Sequence, residues 1–399
     1  MSCNPLRFLL VSGLSICACL GQQIPSQPES RPPIHIKGNA RSGPTGLTPA
    51  QIRTFYGFDQ LLNAKDPNQP FSQPNPSLGY GQTIYIIDAY DDPNIESDLA
   101  VFSKQFGLPD CTANPCFEKK YASGVKPKAD SGWAGEISLD VEWAHAIAPQ
   151  AKIVLVEAAS NANSDLMKAV DYAVNSCATV VSMSYGSNES VTETAADDHF
   201  ARPGVTFTAS SGDSGSGVSY PAASPYVVGV GGTTIKTMNL SATYTAETAW
   251  SGSGGGQSAY EDLPAYQSNF LPTGKRRVPD VAYDADPNTG FAVYDSVRNQ
   301  GQAGWLQIGG TSAGAPQWAA LFAIVNSMRA SQGKGVIGGS VFDVLYNPNL
   351  QSYQSNFNDI TSGSNGNCGD ACTAAANYDL VTGLGTPKVP ALVQALVAY

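Results

Sequence analysis

Short runs rich in β-branched residues alternate along this chain with longer stretches of helical apolar spacing, and no other feature limits the fold as tightly. The β-like runs are residues 83–88 (TIYIID), 151–157 (AKIVLVE), 179–184 (TVVSMS) and 205–210 (VTFTAS). Residues 95–106, 135–147, 164–176 and 192–201 carry apolar side chains at intervals suited to one helix face. Strand, helix and strand in this order predict an α/β fold with a parallel sheet covered by helices on both faces. In such sheets functional groups gather where strands end and helices begin. No internal repeat interrupts residues 47–399, so a single large domain is expected there.

The N-terminus has another character. Arg7 precedes the apolar run 8–20 (FLLVSGLSICACL), which is too short to span a bilayer but suits the core of a signal peptide. Residues 1–21 are therefore read as a leader and the chain as secreted, with no membrane span. Ile16-Cys17-Ala18-Cys19 loosely resembles a lipoprotein cleavage box, and the alternative is a lipid anchor at Cys19 on the cell envelope. Residues 22–46 are polar and Pro-rich, which predicts an extended linker. Beyond the leader stand Cys111, Cys116, Cys177, Cys368 and Cys372. In an oxidising compartment Cys111 with Cys116, and Cys368 with Cys372, can close small loops where turns bring their Cα atoms within about 7 Å. Cys177 has no basic neighbour and is expected as buried packing; zinc spacing is absent. With 22 Lys and Arg against 33 Asp and Glu, the formal charge is -11 and no basic cluster stands out. Nucleic acid and anionic membranes are thus excluded as expected partners.

Chemistry concentrates in a few places. Residues 309–316 (GGTSAGAP) run into an apolar helical stretch, with small residues allowing a sharp turn and Pro316 suited to a helix's first turn. Ser312 is left near the positive end of that helix, a seat for a nucleophile or a simple cap. A base is then needed, yet His35 lies in the linker, His145 in a helical run and His199 beside a polar loop. Glu136 and Asp140, four residues apart among Trp133, Ile137, Leu139 and Trp143, share a helix face and can share a proton. Asp213, in Ser211-Gly212-Asp213-Ser214, follows a strand at a position that also suits a turn residue.

Taken in order, residues 133–149 (WAGEISLDVEWAHAIAP), Ser211-Gly212-Asp213 and the Gly310-Thr311-Ser312-Ala313 turn ending at Pro316 resemble the sedolisins, or serine-carboxyl peptidases. Residues 181–186 (VSMSYG), 230–234 (VGGTT) and 254–256 (GGG) after Trp250 add to the resemblance, which covers residue 47 to the C-terminus. It implies a subtilisin-like α/β fold with a parallel sheet flanked by helices, and a catalytic set. Ser312 would attack the peptide carbonyl, Glu136 would take and return its proton, and Asp140 would hold and polarise Glu136. Asp213, protonated, would donate to the oxyanion beside the Ser312 N–H. Carboxyl groups titrate near ~4, so this division of protons implies an acidic pH optimum. Ser184, Gly186, Gly254 and Gly255 would receive an extended peptide by strand addition. The substrate would be a protein or peptide cleaved by endopeptidase or tripeptidyl-peptidase action, and the chain is expected to act as a monomer.

The family's calcium site is similar to residues 357–361 together with 377–385. One structural ion would take carboxylates from Asp359 and Asp379, carbonyls from Ile360, Ala375 and Asn377, and water. Asp284 to Gly290 mimics an EF-hand start, but Gly falls one position late and Pro287 argues against it. There are departures. Ala375 and Asn377 stand where the family usually has glycine, and Asp88 ends the first strand where subtilisin-like proteins carry their triad Asp. Without a His partner, Asp88 is read as structural or as an auxiliary acid. Sedolisins usually carry a long N-terminal prodomain, whereas a short linker precedes Leu47. Activation without maturation, or folding aided by another factor, is the expectation. The competing readings are a non-catalytic exported peptide-binding relative and a subtilisin-like Ser/His/Asp protease using His145 or His199.

Overall fold

The structure is a computed structural model that describes residues 29–62, 71, 73–111, 115–237, 243–269, 273–299 and 301–399. The expected leader, with Cys17 and Cys19, lies outside the described residues. After a short strand β1 (His35–Ile36) and helix α1 (Pro49–Tyr56), the chain enters the central sheet at β2 (Thr83–Ala89). Next come α2 (Ile95–Phe106), β3 (Phe117–Tyr121), α3 (Ser131–Ile147), β4 (Lys152–Ala158), α4 (Asn163–Asn175), β5 (Val180–Met183) and β6 (Thr206–Ser210). The sheet continues through β7 (Val227–Ile235), β8 (Glu247–Ala249) and β9 (Val281–Asp284).

Strand order is β8-β7-β6-β5-β2-β4-β3, with β9 also on β7, and every pairing except that of β8 is parallel. Along β2, Ile84 and Ile86 join the core cluster on one face while Ile87 joins the cluster on the other. Alternation of this kind, with both sets buried, is what helices on both faces demand. The expected β-like runs at 83, 151, 179 and 205 became β2, β4, β5 and β6. Of the expected helices, 192–201 shrinks to the turns Glu193–Ala196 and Asp197–His199. There the Asp197 carboxylate turns away to accept from Tyr220 Oη at 3.1 Å.

Helix α3 is buried on all sides from Trp133 to Ile147. It lies between the central sheet and a second layer, the hairpin β10 (Phe291–Asn299) and β11 (Gln302–Gly309). Trp143 ties the layers together: Nε1 donates to Ala292 O at 2.9 Å and its ring meets Phe291 edge-on. Helix α5 (Gly314–Ser331), apolar on nearly every side, packs on α3 and β6, and α6 (Val389–Ala398) covers it. The Asp130 side chain starts α3 by accepting from Gly132 N and Trp133 N.

Residues 29–46, expected as a linker, run extended but bound to the domain. Ser30 N donates to Asn161 O, Arg31 and Gly186 exchange backbone hydrogen bonds, and β1 pairs antiparallel with the edge of β11. Prolines 32 and 33 favour the extended form, and unpaired backbone at Gly186 and β11 gives it partners. Cys111–Cys116 and Cys368–Cys372 are disulfides, with Cα atoms 4.8 and 5.3 Å apart. Cys177, expected as buried packing, is instead exposed in the turn after α4 with φ 63°. Among the described residues no helix is long and apolar enough to cross a membrane.

Candidate active site

Ser312 sits in a short 3-10 turn, Thr311–Ala313, between β11 and α5. Gly310 before it has φ 125°, and a Cβ there would fall 2.0 Å from the Pro33 carbonyl oxygen and 2.5 Å from Asp213 Oδ2. Any side chain would therefore be excluded. The fully buried Ser312 hydroxyl donates to Glu136 Oε2 at 3.1 Å. That distance suits transfer of the hydroxyl proton.

Glu136 and Asp140, one turn apart on α3, are fully buried. Glu136 Oε1 and Asp140 Oδ2 find no hydrogen-bond partner among the described residues. Two carboxyls so placed, one helical turn apart, can share a proton. Asp88, at the end of β2, adds a third buried acid whose two oxygens find no donor. Burial pushes all three upward; Asp140 and Asp88 add repulsion at Glu136, and Asp140 and Glu157 add it at Asp88. Ser184, expected on the cleft wall, is fully buried, and its hydroxyl donates to Asp140 Oδ1 at 2.9 Å. Its side chain belongs to the acid pair, because the residue after β5 points inward toward α3.

Asp213 leaves the end of β6 from the opposite side. Its Oδ1 accepts from Thr311 N and Thr311 Oγ1, both at 2.8 Å, while Oδ2 faces His35 Nε2 at 3.3 Å. Burial raises the Asp213 carboxyl, with His35 and Thr311 pulling against it. A cleft of about 670 Å³ runs past it, lined by Gly186, Gly212, Asp213 and Gly254 and by residues of the N-terminal segment. A larger cavity, about 730 Å³ and walled by Phe200, Tyr226, Tyr266 and Phe342, shares no residue with the acids. The smaller cleft is the one that Asp213 lines.

Gly186 and Gly254 line this cleft, whereas Gly255 does not. A Cβ on Gly254 would sit 2.1 Å from Ser211 O, and one on Gly255 2.0 Å from Leu380 O. Both glycines let their loop press against the turn that carries Asp213. His145 is fully buried, bonded to Pro109 O and pushed down to about 4 by burial. His199 pairs with Asp171 on α4. Neither approaches Ser312 through any hydrogen bond. His35, assigned to the linker, is the histidine that reaches Asp213. Only its proximity in space reveals it.

The C-terminal set also converges. Asp359 Oδ2 accepts from Asn377 N at 3.0 Å, Asp379 Oδ2 from Ala375 N at 3.1 Å, and Ile360 packs with Ala374 and Val381. Asn377 takes φ 67°, a conformation easier for glycine. Among the described residues neither acid has a basic partner. Asp284, in the EF-hand mimic, instead accepts from Ile235 N and Thr289 Oγ1 inside the fold. Cys111, Cys116 and His145 also draw close, but the two cysteines are bonded to each other and offer no thiolate.

A family model described as the subtilase family matches residues 131–337, about half of the chain. Kumamolisin from Bacillus sp. (strain MN-32) is 32% identical over 422 residues, which cover 93% of this chain and 69% of kumamolisin. The chain belongs to the sedolisin family of subtilases. Sedolisin from Pseudomonas sp. (strain 101) is 33% identical over 333 residues, 74% of this chain and 54% of that protein. The chain thus spans about two thirds of one relative and about half of the other. The solved structure of Pseudomonas sedolisin, a serine-carboxyl proteinase complexed with two molecules of pseudo-iodotyrostatin, matches with a TM-score of 0.71. That likeness, at 29% identity, covers 88% of this chain and 98% of that one. The subtilisin-like α/β fold and the sedolisin membership expected from the motifs are both met.

Proposed function

We propose that this protein is an acid-active serine-carboxyl peptidase that hydrolyses protein or peptide substrates outside the cytoplasm. The observation that carries the reading is the Ser312 hydroxyl donating at 3.1 Å to Glu136, a buried acid one helical turn from Asp140. Ser312 Oγ attacks the peptide carbonyl while its proton passes to Glu136. Asp140, held by Ser184, stabilises Glu136 as it takes up the Ser312 proton and gives it back. The oxyanion receives hydrogen bonds from Ser312 N–H and from protonated Asp213 Oδ2, whose other oxygen is committed to Thr311. Glu136 then returns the proton to the amine as the C–N bond breaks. Water repeats the sequence on the acyl-enzyme. Gly186 and Gly254 supply backbone along the cleft for strand addition.

The residues Asp359, Ile360, Ala375, Asn377 and Asp379 fit one calcium ion. They offer hard oxygen donors, and the two carboxylates accept from neighbouring backbone N–H groups, those of Ala375 and Asn377, with no basic partner among the described residues. Calcium there would lock the C-terminal loop, and no catalytic step passes through it. Export rests on the leader-like residues 1–21 and agrees with two disulfides.

Incubation of the purified protein with a mixed peptide library from about pH 3 to 7 tests the reading, with activity expected at the acidic end. Ser312→Ala should retain peptide binding and lose turnover, on the order of 10⁶-fold by analogy with other serine peptidases. Equal cleavage by the wild type and this variant defeats the proposal.

A further inference from the structure

The Cys111–Cys116 disulfide lies against a histidine that the peptidase mechanism does not use. Cys111 follows the end of α2, Cys116 stands directly before β3, and His145 belongs to the last turn of α3. One ring nitrogen of His145 and the two sulfurs lie within 4.8 Å of one another. Among the described residues, this is the one place where three such ligand atoms converge. The other bridge, Cys368–Cys372, joins no such group.

The histidine is prepared as a ligand. His145 Nε2 faces the Pro109 carbonyl oxygen at 3.0 Å. A carbonyl only accepts, so the neutral ring carries its proton on Nε2 and keeps a lone pair on Nδ1. The ring is fully buried, and Nδ1 finds no hydrogen-bond partner among the described residues. A ring held for packing alone would gain from a donor there. An imidazole that ligates through one nitrogen and donates from the other to a backbone carbonyl has this arrangement. The backbone near the sulfurs is fixed from outside: Cys116 O accepts from Ile153 N at 2.8 Å, and Cys111 packs on the main core. Their Cα atoms, 4.8 Å apart, keep the sulfurs neighbours once the bond between them opens.

We propose that Cys111, Cys116 and His145 form a metal site that the disulfide closes: on reduction, two thiolates and His145 Nδ1 take one thiophilic divalent cation of the zinc class, with water as fourth ligand. A dithiol supplies the two electrons and two protons, leaving as its own disulfide while the Cys111–Cys116 bond becomes two thiols. Metal binding then displaces both thiol protons, and the Nε2 proton stays on Pro109. Two thiolates, one imidazole and an exchangeable position are an established donor set for zinc. The disulfide joins the exit of α2 to the entrance of β3. The ion would bind both to α3 as well, the helix that carries Glu136 and Asp140.

The test uses the full chain at about pH 7, oxidised or reduced with a phosphine that is then removed under nitrogen, with cobalt(II) and zinc as probes. Reduced wild type should take up cobalt with the visible bands of a tetrahedral site and a thiolate-to-cobalt charge-transfer band, releasing two protons per ion. The oxidised protein should show no such band. Cys111→Ser/Cys116→Ser should lose the band, and His145→Gln should weaken zinc by more than the about 10–100-fold that loss of a supporting hydrogen bond costs. Because His145→Gln removes a buried ring, a readout on the unaltered chain stands beside it. In wild type with isotope-labelled histidine, zinc should shift one imidazole Nδ1 in the reduced protein alone, with the proton of that ring retained on Nε2. Reduced wild type without the band, a band equally strong in Cys111→Ser/Cys116→Ser, or histidine signals that do not respond to zinc overturns the proposal.

Discussion

Replacing Asp213 separates two roles that a single carboxyl combines. Its Oδ1 already accepts two hydrogen bonds from Thr311 at 2.8 Å, so that oxygen is fixed as an acceptor and the proton must ride on Oδ2, the atom facing the cleft. Asp213→Asn preserves this division: the amide oxygen takes the Thr311 bonds and the NH₂ group points where the acid proton was. Asp213→Ala removes the donor and strands Thr311. Loss of one oxyanion donor lowers kcat by about 10²–10³, or ~2.7–4 kcal/mol. The Ala variant should therefore fall by that factor at acidic pH, whereas Asn should stay within about tenfold of wild type because a donor remains. The pH profile is the sharper readout. Burial keeps the Asp213 proton to higher pH than an exposed Asp, so activity is present below its titration and is lost as pH rises through it. An amide does not titrate, and the Asn profile should lose that alkaline limb. Both variants lack the His35 ion pair, so a comparison between them is free of its effect. Steady-state kcat and kcat/KM from about pH 3 to 7 suffice. Equal losses in Asn and Ala, or an Asn variant with the wild-type alkaline limb, refutes the assignment of the oxyanion donor.

Ser184→Ala removes the hydroxyl that donates to Asp140 at 2.9 Å and should cost about 1–3 kcal/mol of stability, seen as a lower Tm, while kcat falls and KM holds. Since that hydrogen bond lowers Asp140, its loss raises the group further and moves the acidic limb of the kcat profile upward. Chelation should lower Tm by a few degrees, since calcium at 100 times its Kd contributes about 2.7 kcal/mol; an unchanged Tm counts against the calcium site. Tm should also be higher at pH 4 than at pH 8. Burial pushes Asp92 to about 6, Asp295 to about 7 and Glu157 to about 8. The folded state holds their protons more tightly than the unfolded chain, so their contribution is complete below about pH 4 and fades as pH climbs through those values. A Tm that rises across this interval contradicts the burial of these acids.

What could be read from residue order was whatever depends on short-range spacing. Glu136 and Asp140 share a helix face by their interval of four, and Ser312 announces itself through the small residues around it. The strands at 83, 151, 179 and 205 show in β-branched composition. Side-chain direction at a strand end does not, which is why Ser184 was expected in the cleft and is found bonded to Asp140. The N-terminal segment was hidden for another reason. A polar, Pro-rich stretch has the composition of a free linker, and its partners Gly186, Asp213 and Gln307 lie more than a hundred residues away in the chain. His35 looked idle for the same cause. The helix expected at 192–201 breaks into two short turns, and Pro203, which has no N–H to donate, follows directly after.

Buried acids link catalysis to stability in this fold. Arg276 and Asp280 form a fully buried bidentate pair at 2.8 and 2.5 Å, with Gly229 N and Tyr346 Oη completing the carboxylate's bonds. A cation and two further donors surround that carboxylate, which offsets much of the cost of burying it. Asp88, Glu136, Asp140 and Glu142 are as deeply buried, and among the described residues none of them forms an ion pair. Desolvation without compensation can be relieved by proton uptake, and a set of neighbouring acids can then divide protons among themselves. The condition that, in the proposed mechanism, would let Glu136 and Asp140 exchange a proton with Ser312 is therefore the same one that favours the folded chain in acid. A peptidase built with imidazole as its base needs no such surroundings. Giving the Glu136–Asp140 pair a cation, or exposing it to water, would lower both groups toward ordinary carboxylates and take away the basicity that Ser312 requires.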